Sequence, residues 1–245
     1  MSLRKFSFGI VLCAIGLAVA GCDDAPGKPK TSDEAARPEQ ITDFATLYGQ
    51  NCAACHGDRG REGAAISLAN PVYLAVAGPA NLQRVIAAGV TGTMMPGYGK
   101  SAGGMLTDAQ IAILAQGLIK AWGNPAAVAG QTLPAYAASA PGDAVRGQKA
   151  FVSSCARCHG ADGAGIADKN NPGPIVDPAY LALISDQGLR SIVIAGKPEQ
   201  GMPDWRSQMT GAGAHALSDQ EITDIVAWLA SHRVTAPGQP YQQRP

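Results

Sequence analysis

Two short segments of this sequence share one five-residue arrangement of thiols and an imidazole. Cys52-Ala-Ala-Cys-His56 and Cys155-Ala-Arg-Cys-His159 both read C-x-x-C-H, and the second begins 103 residues after the first. If such a segment is helical, residues i and i+3 lie on one face, so two thiols can bond to the same planar group. In an exported chain this pattern is typical of covalent c-type haem attachment, with the histidine bound to iron. The predicted haem-binding residues are Cys52, Cys55, His56, Cys155, Cys158 and His159.

Three other interpretations of the paired cysteines are weaker. Zinc ribbons place their cysteine pairs about 15 to 20 residues apart, whereas these pairs lie 103 residues apart. A thioredoxin-like C-x-x-C belongs beside a β-α-β pattern, and the sequence predicts no such run of strands. Structural disulfides would leave the histidine after each pair as a coincidence. Two covalently attached haems c therefore remain the predicted cofactors.

The similarity between the two halves extends beyond the haem motifs. An aromatic residue lies four positions before the first cysteine of each motif, and N-P-V-Y-L-A at 70–75 matches D-P-A-Y-L-A at 177–182. A Met-Pro pair follows 25 residues after Asn70 and again after Asp177. The chain is thus predicted to be a tandem duplication. Each unit has a helix with the haem motif, a glycine-rich loop, a short helix, a Met-Pro loop and a closing helix that begins at a Thr or Ser cap.

The paired methionines are the predicted second axial ligands of the two irons. A soft thioether fills this position in electron-transfer cytochromes. Met95 and Met202 stand in matching register, and the proline after each restricts the loop in a way that suits a ligand. Met94 is the local rival of Met95, but its partner by register is Gly201. Other methionine and histidine side chains have no counterpart in the other unit and are assigned to packing or to the surface: Met105, Met209, His215 and His232.

The N-terminus has the pattern of an export signal. Arg4 and Lys5 precede fifteen apolar or small residues, from Phe6 to Ala20, as in the charged and hydrophobic regions of a signal peptide. Fifteen residues fall short of the roughly 20 that a membrane-spanning helix needs. Export places the chain in an oxidising compartment, where disulfides and haem thioethers are both expected.

Two cleavage sites remain as alternatives after this signal. Ala18-Val-Ala20 suits ordinary signal peptidase, whereas Val19-Ala-Gly-Cys22 resembles the bacterial lipobox, in which the cysteine is lipidated and becomes the first residue. The lipobox is preferred, because an unpaired cysteine is otherwise hard to explain in an oxidising compartment. Residues 23–40 combine proline, glycine and charge without an apolar period, which predicts a flexible tether.

Composition describes a neutral globular protein. The 245 residues include 46% hydrophobic side chains and equal numbers of Lys+Arg and Asp+Glu, so nothing favours nucleic acid as a partner. Three Trp, six Tyr and four Phe stand against thirty Gly. A core with so few aromatic side chains depends on aliphatic residues, and a large apolar cofactor would help to fill it.

These motifs resemble class I cytochrome c domains in tandem: C-x-x-C-H-G early in each unit, Met-Pro in its second half and a closing helix led by Leu-Thr/Ser-Asp. The resemblance implies an all-α fold of two cytochrome c-like domains, each wrapped around one haem. It also implies that the carbonyl of a Gly-Pro pair accepts the proximal histidine N–H. Gly173-Pro174 fits this pattern and Ile66-Ser67 does not, although the bond requires only a backbone oxygen.

The same family carries an aromatic residue on its closing helix that packs against the first helix. Trp228 fits, whereas Gly117 stands at the matching place in the first unit, with Trp122 five residues later. These departures predict that the first haem is the one that differs in potential. Arg84 and Arg206 are candidate partners of haem propionates, with a plain surface role as the alternative.

The sequence thus predicts six segments. These are a lipoprotein signal peptide at 1–21, a tether at 22–40, cytochrome c domain 1 at 41–123, a linker at 124–142, cytochrome c domain 2 at 143–232 and a C-terminal tail at 233–245.

The predicted function is electron relay. Two irons that each have histidine and methionine ligands leave no open position for a substrate, which favours one-electron exchange over catalysis at iron. Lipidation at Cys22 predicts a protein on the periplasmic side of a bacterial membrane, working as a subunit or partner of a membrane electron-transport complex or with redox proteins. The alternative is a di-haem periplasmic oxidoreductase of the peroxidase or thiosulfate-oxidising type. A sensor is disfavoured, because nothing resembles an output domain.

Overall fold

A computed structural model describes residues 36–166, 173–206 and 215–234. Within these ranges the regular backbone is helical and contains no β-strand, only two isolated bridges, Gly99–Leu106 and Lys197–Met202. The predicted all-α class is therefore confirmed. The chain divides into two compact units between Gln40 and Ile41. The first includes a 3-10 helix at Pro38–Gln40, and both haem motifs lie in the second.

Each predicted domain contains the expected series of helices. In domain 1 these are α1 (Phe44–Asn51), α2 (Ala53–His56), α3 (Pro71–Ala88) and α4 (Asp108–Trp122). In domain 2 they are α5 (Ala144–Ser154), α6 (Ala156–His159), α7 (Pro178–Leu183), α8 (Asp186–Ala195) and α9 (Asp219–Ala230). Short 3-10 helices lie at Lys100–Ala102, Pro125–Val128 and Pro198–Gln200.

The helix starts follow the capping residues that the sequence contains. Thr107 and Ser218 each cap a closing helix, α4 or α9, and each forms a reciprocal capping box with the residue three positions on, Gln110 or Glu221. Such side chains satisfy backbone N–H groups that have no partner within the helix. The prediction of Thr- and Ser-capped closing helices is thus correct.

The middle helix of the duplicated unit is built in two ways. In domain 1, α3 runs from Pro71 to Ala88 but is broken at Gly78, whose φ of 63° and ψ of 169° are not helical. In domain 2 the matching segment forms two separate helices, α7 and α8, with Ser185 as the N-cap of the second. Gly78 and Ser185 are in register, so a glycine break and a serine cap place the same bend in the two domains.

Two indole rings occupy equivalent places although they come from different positions. Trp122 lies edge-on to Tyr48 at 5.0 Å between ring centroids, and Trp228 lies 4.2 Å from Phe151. Tyr48 and Phe151 are the matching aromatic residues that precede the two haem motifs. The sequence left the packing of the first closing helix open because Gly117 aligns with Trp228. The structure shows that Trp122 takes the indole's place instead.

The predicted linker is anchored to domain 2. Arg190 of α8 is only 2% exposed, and its guanidinium donates hydrogen bonds to two linker carbonyls and two side chains of α9: Ala135 O at 2.9 Å, Tyr136 O at 3.2 Å, Thr223 Oγ1 at 2.8 Å, and Asp219. Because a buried guanidinium needs such partners, this stretch of the linker is held in place along α8 and α9.

Candidate haem sites

Each haem motif forms a tight helical turn that brings both thiols and the imidazole together. The N–H groups of Cys55 and His56 both donate to the carbonyl of Cys52, at 3.2 and 3.0 Å. Cys158 and His159 repeat this arrangement on Cys155, at 3.1 and 3.0 Å. In each motif the first cysteine is partly buried and the second is exposed. The local geometry that the duplication predicts is therefore the same in both domains.

The first thiol of each motif is not activated by its surroundings. None of Cys52, Cys55, Cys155 and Cys158 forms a disulfide. Burial, and secondarily the neighbouring thiol, raises the pKa of Cys52 to about 11 and that of Cys155 to about 12. A redox-active C-x-x-C needs a lowered thiol pKa, so these pairs differ from thioredoxin-like sites. Among the described residues, no three His, Cys, Asp or Glu side chains are grouped to hold a metal.

The imidazole of His56 is held in the orientation and protonation state that a metal ligand needs. It is 7% exposed, and its Nδ1 lies 2.8 Å from the carbonyl oxygen of Ile66. Burial lowers the pKa of His56, although the bond to Ile66 opposes this effect. A neutral ring that donates Nδ1–H to a carbonyl keeps the lone pair on Nε2 for a metal. Ile66 thus supplies the backbone acceptor that the resemblance assigned to a Gly-Pro carbonyl.

The second imidazole has a different environment. Burial lowers the pKa of His159, so this ring is also neutral. Its Nδ1 is buried and has no hydrogen-bond partner among the described residues. The bond to Gly173 that the sequence led us to expect is therefore not formed in this structure. The domain that departs from the Gly-Pro pattern has the bond, and the domain that keeps the pattern lacks it.

The Met95 loop is tied to the haem motif of domain 1. Met95 is partly buried, and its carbonyl accepts a hydrogen bond from Val90 N at 3.0 Å. Three residues later, the hydroxyl of Tyr98 donates to the carbonyl of Asn51 at 2.6 Å. Asn51 directly precedes Cys52, so this bond holds the loop against the motif. Burial raises the pKa of Tyr98, with Cys52 and Cys55 as further causes, which places the phenol near both thiols.

The Met202 loop is braced by its own backbone. Met202 is partly buried and exchanges two hydrogen bonds with Lys197, at 2.9 and 3.1 Å. Gly196 packs so closely that a Cβ atom there would lie 2.4 Å from Pro203 O and 2.6 Å from Met202 O. Gly89 lies equally close to the Met95 loop, 2.8 Å from Met95 O by the same measure. The backbone of each methionine loop thus packs closely against a glycine at the end of the preceding helix.

The rival side chains occupy other places. Met94 is 81% and Met105 is 78% exposed, so neither side chain is packed against the protein as an iron ligand would be. Met209 lies outside the described residues, as does Cys22. The two other histidines already have protein partners: His215 pairs with Glu221, and His232 Nδ1 lies 2.9 Å from Trp228 O.

The two arginines considered for haem propionates also have protein partners. Arg84 donates to Asn81 and lies over the ring of Tyr136. Arg206 donates to Asp204 and to Ala127 O.

Two contacts of the site were not predictable from the sequence. The bond from Tyr98 to Asn51 joins residues 47 positions apart, and Tyr98 aligns with Trp205, which has no hydroxyl. The hydroxyl of Tyr48 donates to Gly57 O at 2.7 Å, across the first motif, whereas the matching Phe151 cannot. The register indicated the aromatic positions but not these bonds.

The residues present fit two haems c. Each site offers two thiols outside any disulfide on one helical turn, next to a neutral imidazole. Each also offers a partly buried thioether on a braced loop. These are the donors that c-type haem attachment and histidine/methionine ligation use.

The described residues include no helix that has both the length and the apolar character required to cross a membrane.

Comparison with known proteins identifies both halves of the chain. A family model described as Cytochrome c matches residues 144–233, and a model described as Cytochrome C oxidase, cbb3-type, subunit III matches residues 39–116. No curated protein compared with the chain matches it. Among solved structures, a chain of the Kuenenia stuttgartiensis reducing HAO-like protein complex is similar at 17% identity and a TM-score of 0.47, with 82% of this chain and 100% of that chain covered. One family match falls on each predicted domain, and the chain therefore belongs to the c-type cytochromes, as two class I cytochrome c domains in tandem.

Proposed function

We propose that the protein carries single electrons through two covalently attached haems c. Cys52 and Cys55 would hold the first haem, and Cys155 and Cys158 the second. His56 with Met95, and His159 with Met202, would supply the axial ligands. When bound, such haems exchange one electron each by cycling between ferric and ferrous iron. Haem-based electron transfer itself follows from the cytochrome c domains.

The observation that carries this proposal is that the same ligand set occurs in both domains. Neutral imidazoles, buried at His56 and partly buried at His159, and braced methionine loops recur at matching positions. An oxidoreductase of the peroxidase type needs at least one iron with an open or labile position. Two closed sites favour relay over catalysis at iron.

The proposed place of work is the outer face of the cytoplasmic membrane. Lipidation at Cys22 would anchor the chain, and residues 23–40, of which the structure describes only 36–40, would tether the first cytochrome c domain to the membrane. The match of domain 1 to the subunit III model of cbb3-type oxidases supports a respiratory complex as partner. The protein would serve such a complex, or a photosynthetic one, as a lipid-anchored subunit or soluble-domain partner.

Haem content and ligation can be tested on protein purified from membranes in mild detergent. The denatured mass should exceed that of the polypeptide by two haems. The oxidised protein should show the weak sulfur-to-iron absorption band at the red end of the visible spectrum, at an intensity that corresponds to two haems. Carbon monoxide should not bind rapidly to the reduced protein, because histidine and methionine would occupy both axial positions of each iron.

Two results would overturn the proposal in different ways. A mass without added porphyrin would remove the cofactors. High-spin features or rapid carbon monoxide binding at either haem would instead favour the periplasmic oxidoreductase. Proteins that co-migrate with the purified cytochrome would identify the complex.

A further inference from the structure

Asn70 of domain 1 makes a buried contact with domain 2. The side chain is 4% exposed. Its Oδ1 accepts hydrogen bonds from the N–H groups of Val72 and Tyr73, at 2.9 and 3.2 Å, and so caps α3. Its Nδ2 donates to the carbonyl oxygens of Ala195 at 3.0 Å and Gly196 at 3.4 Å. One amide group therefore begins a helix in one domain and holds the end of a helix in the other.

The acceptors of this amide support the Met202 loop. Ala195 is the last residue of α8, where carbonyl groups lack partners within the helix. Gly196, at a φ of 66°, follows directly and packs against the backbone of Met202 and Pro203. Lys197 then forms both hydrogen bonds with Met202. Lys197, the residue that pairs with the proposed ligand, therefore directly follows the helix end that Asn70 holds.

On its own side, Asn70 ends the loop that orients His56. Ile66, four residues earlier, accepts from His56 Nδ1 at 2.8 Å. Ala69 N donates to Gly60 O at 2.9 Å and the hydroxyl of Ser67 to the same oxygen at 3.1 Å, which braces the loop. The histidine site of domain 1 and the methionine loop of domain 2 thus meet at Asn70 through short, hydrogen-bonded segments.

The matching residue of domain 2 shows what is special about the amide. Asp177 caps α7 in the same way, accepting from Ala179 N and Tyr180 N, both at 2.9 Å. A carboxylate is sufficient for capping. It cannot donate to a carbonyl, whereas an asparagine amide can do both at once. The Nδ2 group at position 70 therefore serves the contact between the domains and not the helix start.

We propose that Asn70 is a positioning residue for the Met202 loop, so that domain 1 helps to hold the methionine ligand of domain 2. This inference rests on the proposed ligation of the second haem by Met202. Asn70 touches neither haem ligand and acts through Ala195 and Gly196. Loss of its amide should change the iron ligation and reduction potential of the second haem and leave those of the first haem unchanged.

The test exchanges the amide while keeping the cap. Asn70→Asp retains an oxygen for Val72 and Tyr73 but turns a second oxygen toward the carbonyls of Ala195 and Gly196, where like dipoles repel. Asn70→Ser keeps a neutral capping oxygen and lacks the donor, so it serves if the buried carboxylate prevents folding. Asp177→Asn is the matched control, because it makes the reverse exchange at the equivalent cap.

The readouts are the sulfur-to-iron band and a spectroscopic potentiometric titration of each variant. In Asn70→Asp the band should fall by up to about half, since one haem of two is affected, and one of the two potentials should decrease. Asn70→Ser should show the same change to a smaller extent, and Asp177→Asn none. In a Met202→Ala background, Asn70→Asp should cause no further change in the band or in the potentials. In a Met95→Ala background, Asn70→Asp should still lower the potential of the second haem.

The outcomes separate this inference from the proposed function. Wild-type protein without the band for two haems would contradict the ligation itself. A wild type with the full band, together with folded Asn70 variants whose band and potentials are unchanged, would overturn the role of Asn70. An equal shift of both potentials would also overturn it, because that result indicates general loosening.

Discussion

The phenyl ring of Phe44 fills the space beside Gly117, where a Cβ atom would lie 2.1 Å from the ring. The matching residues of domain 2 have exchanged roles, since Gly147 stands in the place of Phe44 and Trp228 in that of Gly117. A Cβ on Gly147 would lie 1.9 Å from the carbonyl oxygen of Asp224 and 2.9 Å from Trp228 Cβ. Each domain thus crosses its first and closing helices at one glycine and one aromatic residue, in opposite order.

Gly117→Ala should therefore destabilise domain 1, although alanine is the better helix former. The clash with Phe44 should lower the free energy of unfolding by about 1–3 kcal/mol. In a Phe44→Ala background the clash is absent, and the same change should instead raise stability by up to about 1 kcal/mol. Urea unfolding followed by far-ultraviolet circular dichroism measures both effects.

Gly147→Ala provides the contrasting case. Its nearest atom is the backbone oxygen of Asp224, which cannot move away as a side chain can. Trp228→Ala should therefore not relieve this substitution. Relief by Trp228→Ala, or lack of relief by Phe44→Ala in domain 1, would show that the crossing is packed differently.

Met95→Ala and Met202→Ala should each lower one of the two reduction potentials and leave both haems attached. Loss of the thioether removes the ligand that favours ferrous iron, while the thioether bonds to the cysteines are untouched. Each change should remove about half of the sulfur-to-iron band, because one site of two is altered. Met94→Ala and Met105→Ala are matched controls at exposed positions. An unchanged potentiometric titration in either ligand variant would refute that assignment.

Asp224→Asn should destabilise domain 2 in a pH-dependent way. The carboxylate accepts from Arg146 Nε at 2.7 Å, Arg146 Nη2 at 2.9 Å and Asp143 N at 2.8 Å. Burial alone raises the pKa of Asp224, but these hydrogen bonds lower it by more, so the net pKa lies below its ordinary value. The stabilisation is then fully present above the unfolded pKa and disappears as the pH falls through the folded value.

At pH 7 the loss in Asp224→Asn should be about 2 kcal/mol, as for hydrogen bonds to charged groups. The difference from wild type should begin to shrink below about pH 4, where the unfolded carboxyl takes up a proton, and should disappear only below the lower pKa of the folded state. Asp108→Asn, at an exposed residue in the first turn of α4, should change stability by less than about 0.5 kcal/mol. A difference between Asp224→Asn and wild type that stays constant down to pH 2 would exclude a charged Asp224 as its origin.

Cys22→Ser should release the protein from membranes. The residue lies outside the described part of the chain, and the prediction rests on the lipobox pattern alone. Labelled fatty acid should enter the wild type and not this variant, which should fractionate with soluble periplasmic proteins if it is still cleaved. Cys13→Ser, within the predicted signal, should retain the label. Membrane association of unlabelled Cys22→Ser protein would point to another anchor.

Internal repetition is what identifies candidate ligands in this sequence. Met95 and Met202 were selected because they share a register, and Met94 was rejected because it does not. In the structure Met94 is exposed, whereas Met95 and Met202 are partly buried. Helix starts at Thr107 and Ser218 were predictable because capping is a local property of the sequence.

Contacts that differ between the copies were not predictable by the same means. Register aligned Gly117 with Trp228 and could not show that Trp122 supplies the indole in domain 1. It aligned Asn70 with Asp177 as equivalent caps, although only the amide also reaches the other domain. Arg84 and Arg206 had the charge for propionates, but the fold directs them to Tyr136 and Asp204. Such contacts depend on the packing of distant segments.

The guanidinium of Arg190 sets where this double cytochrome can be divided. A cut at the predicted boundary, just before Asp143, would remove the carbonyls of Ala135 and Tyr136 and leave this guanidinium with its α9 partners, Thr223 and Asp219. Arg206 would lose Ala127 as well. A single-haem second half that keeps these hydrogen bonds must therefore begin near residue 124 and include the entire connector.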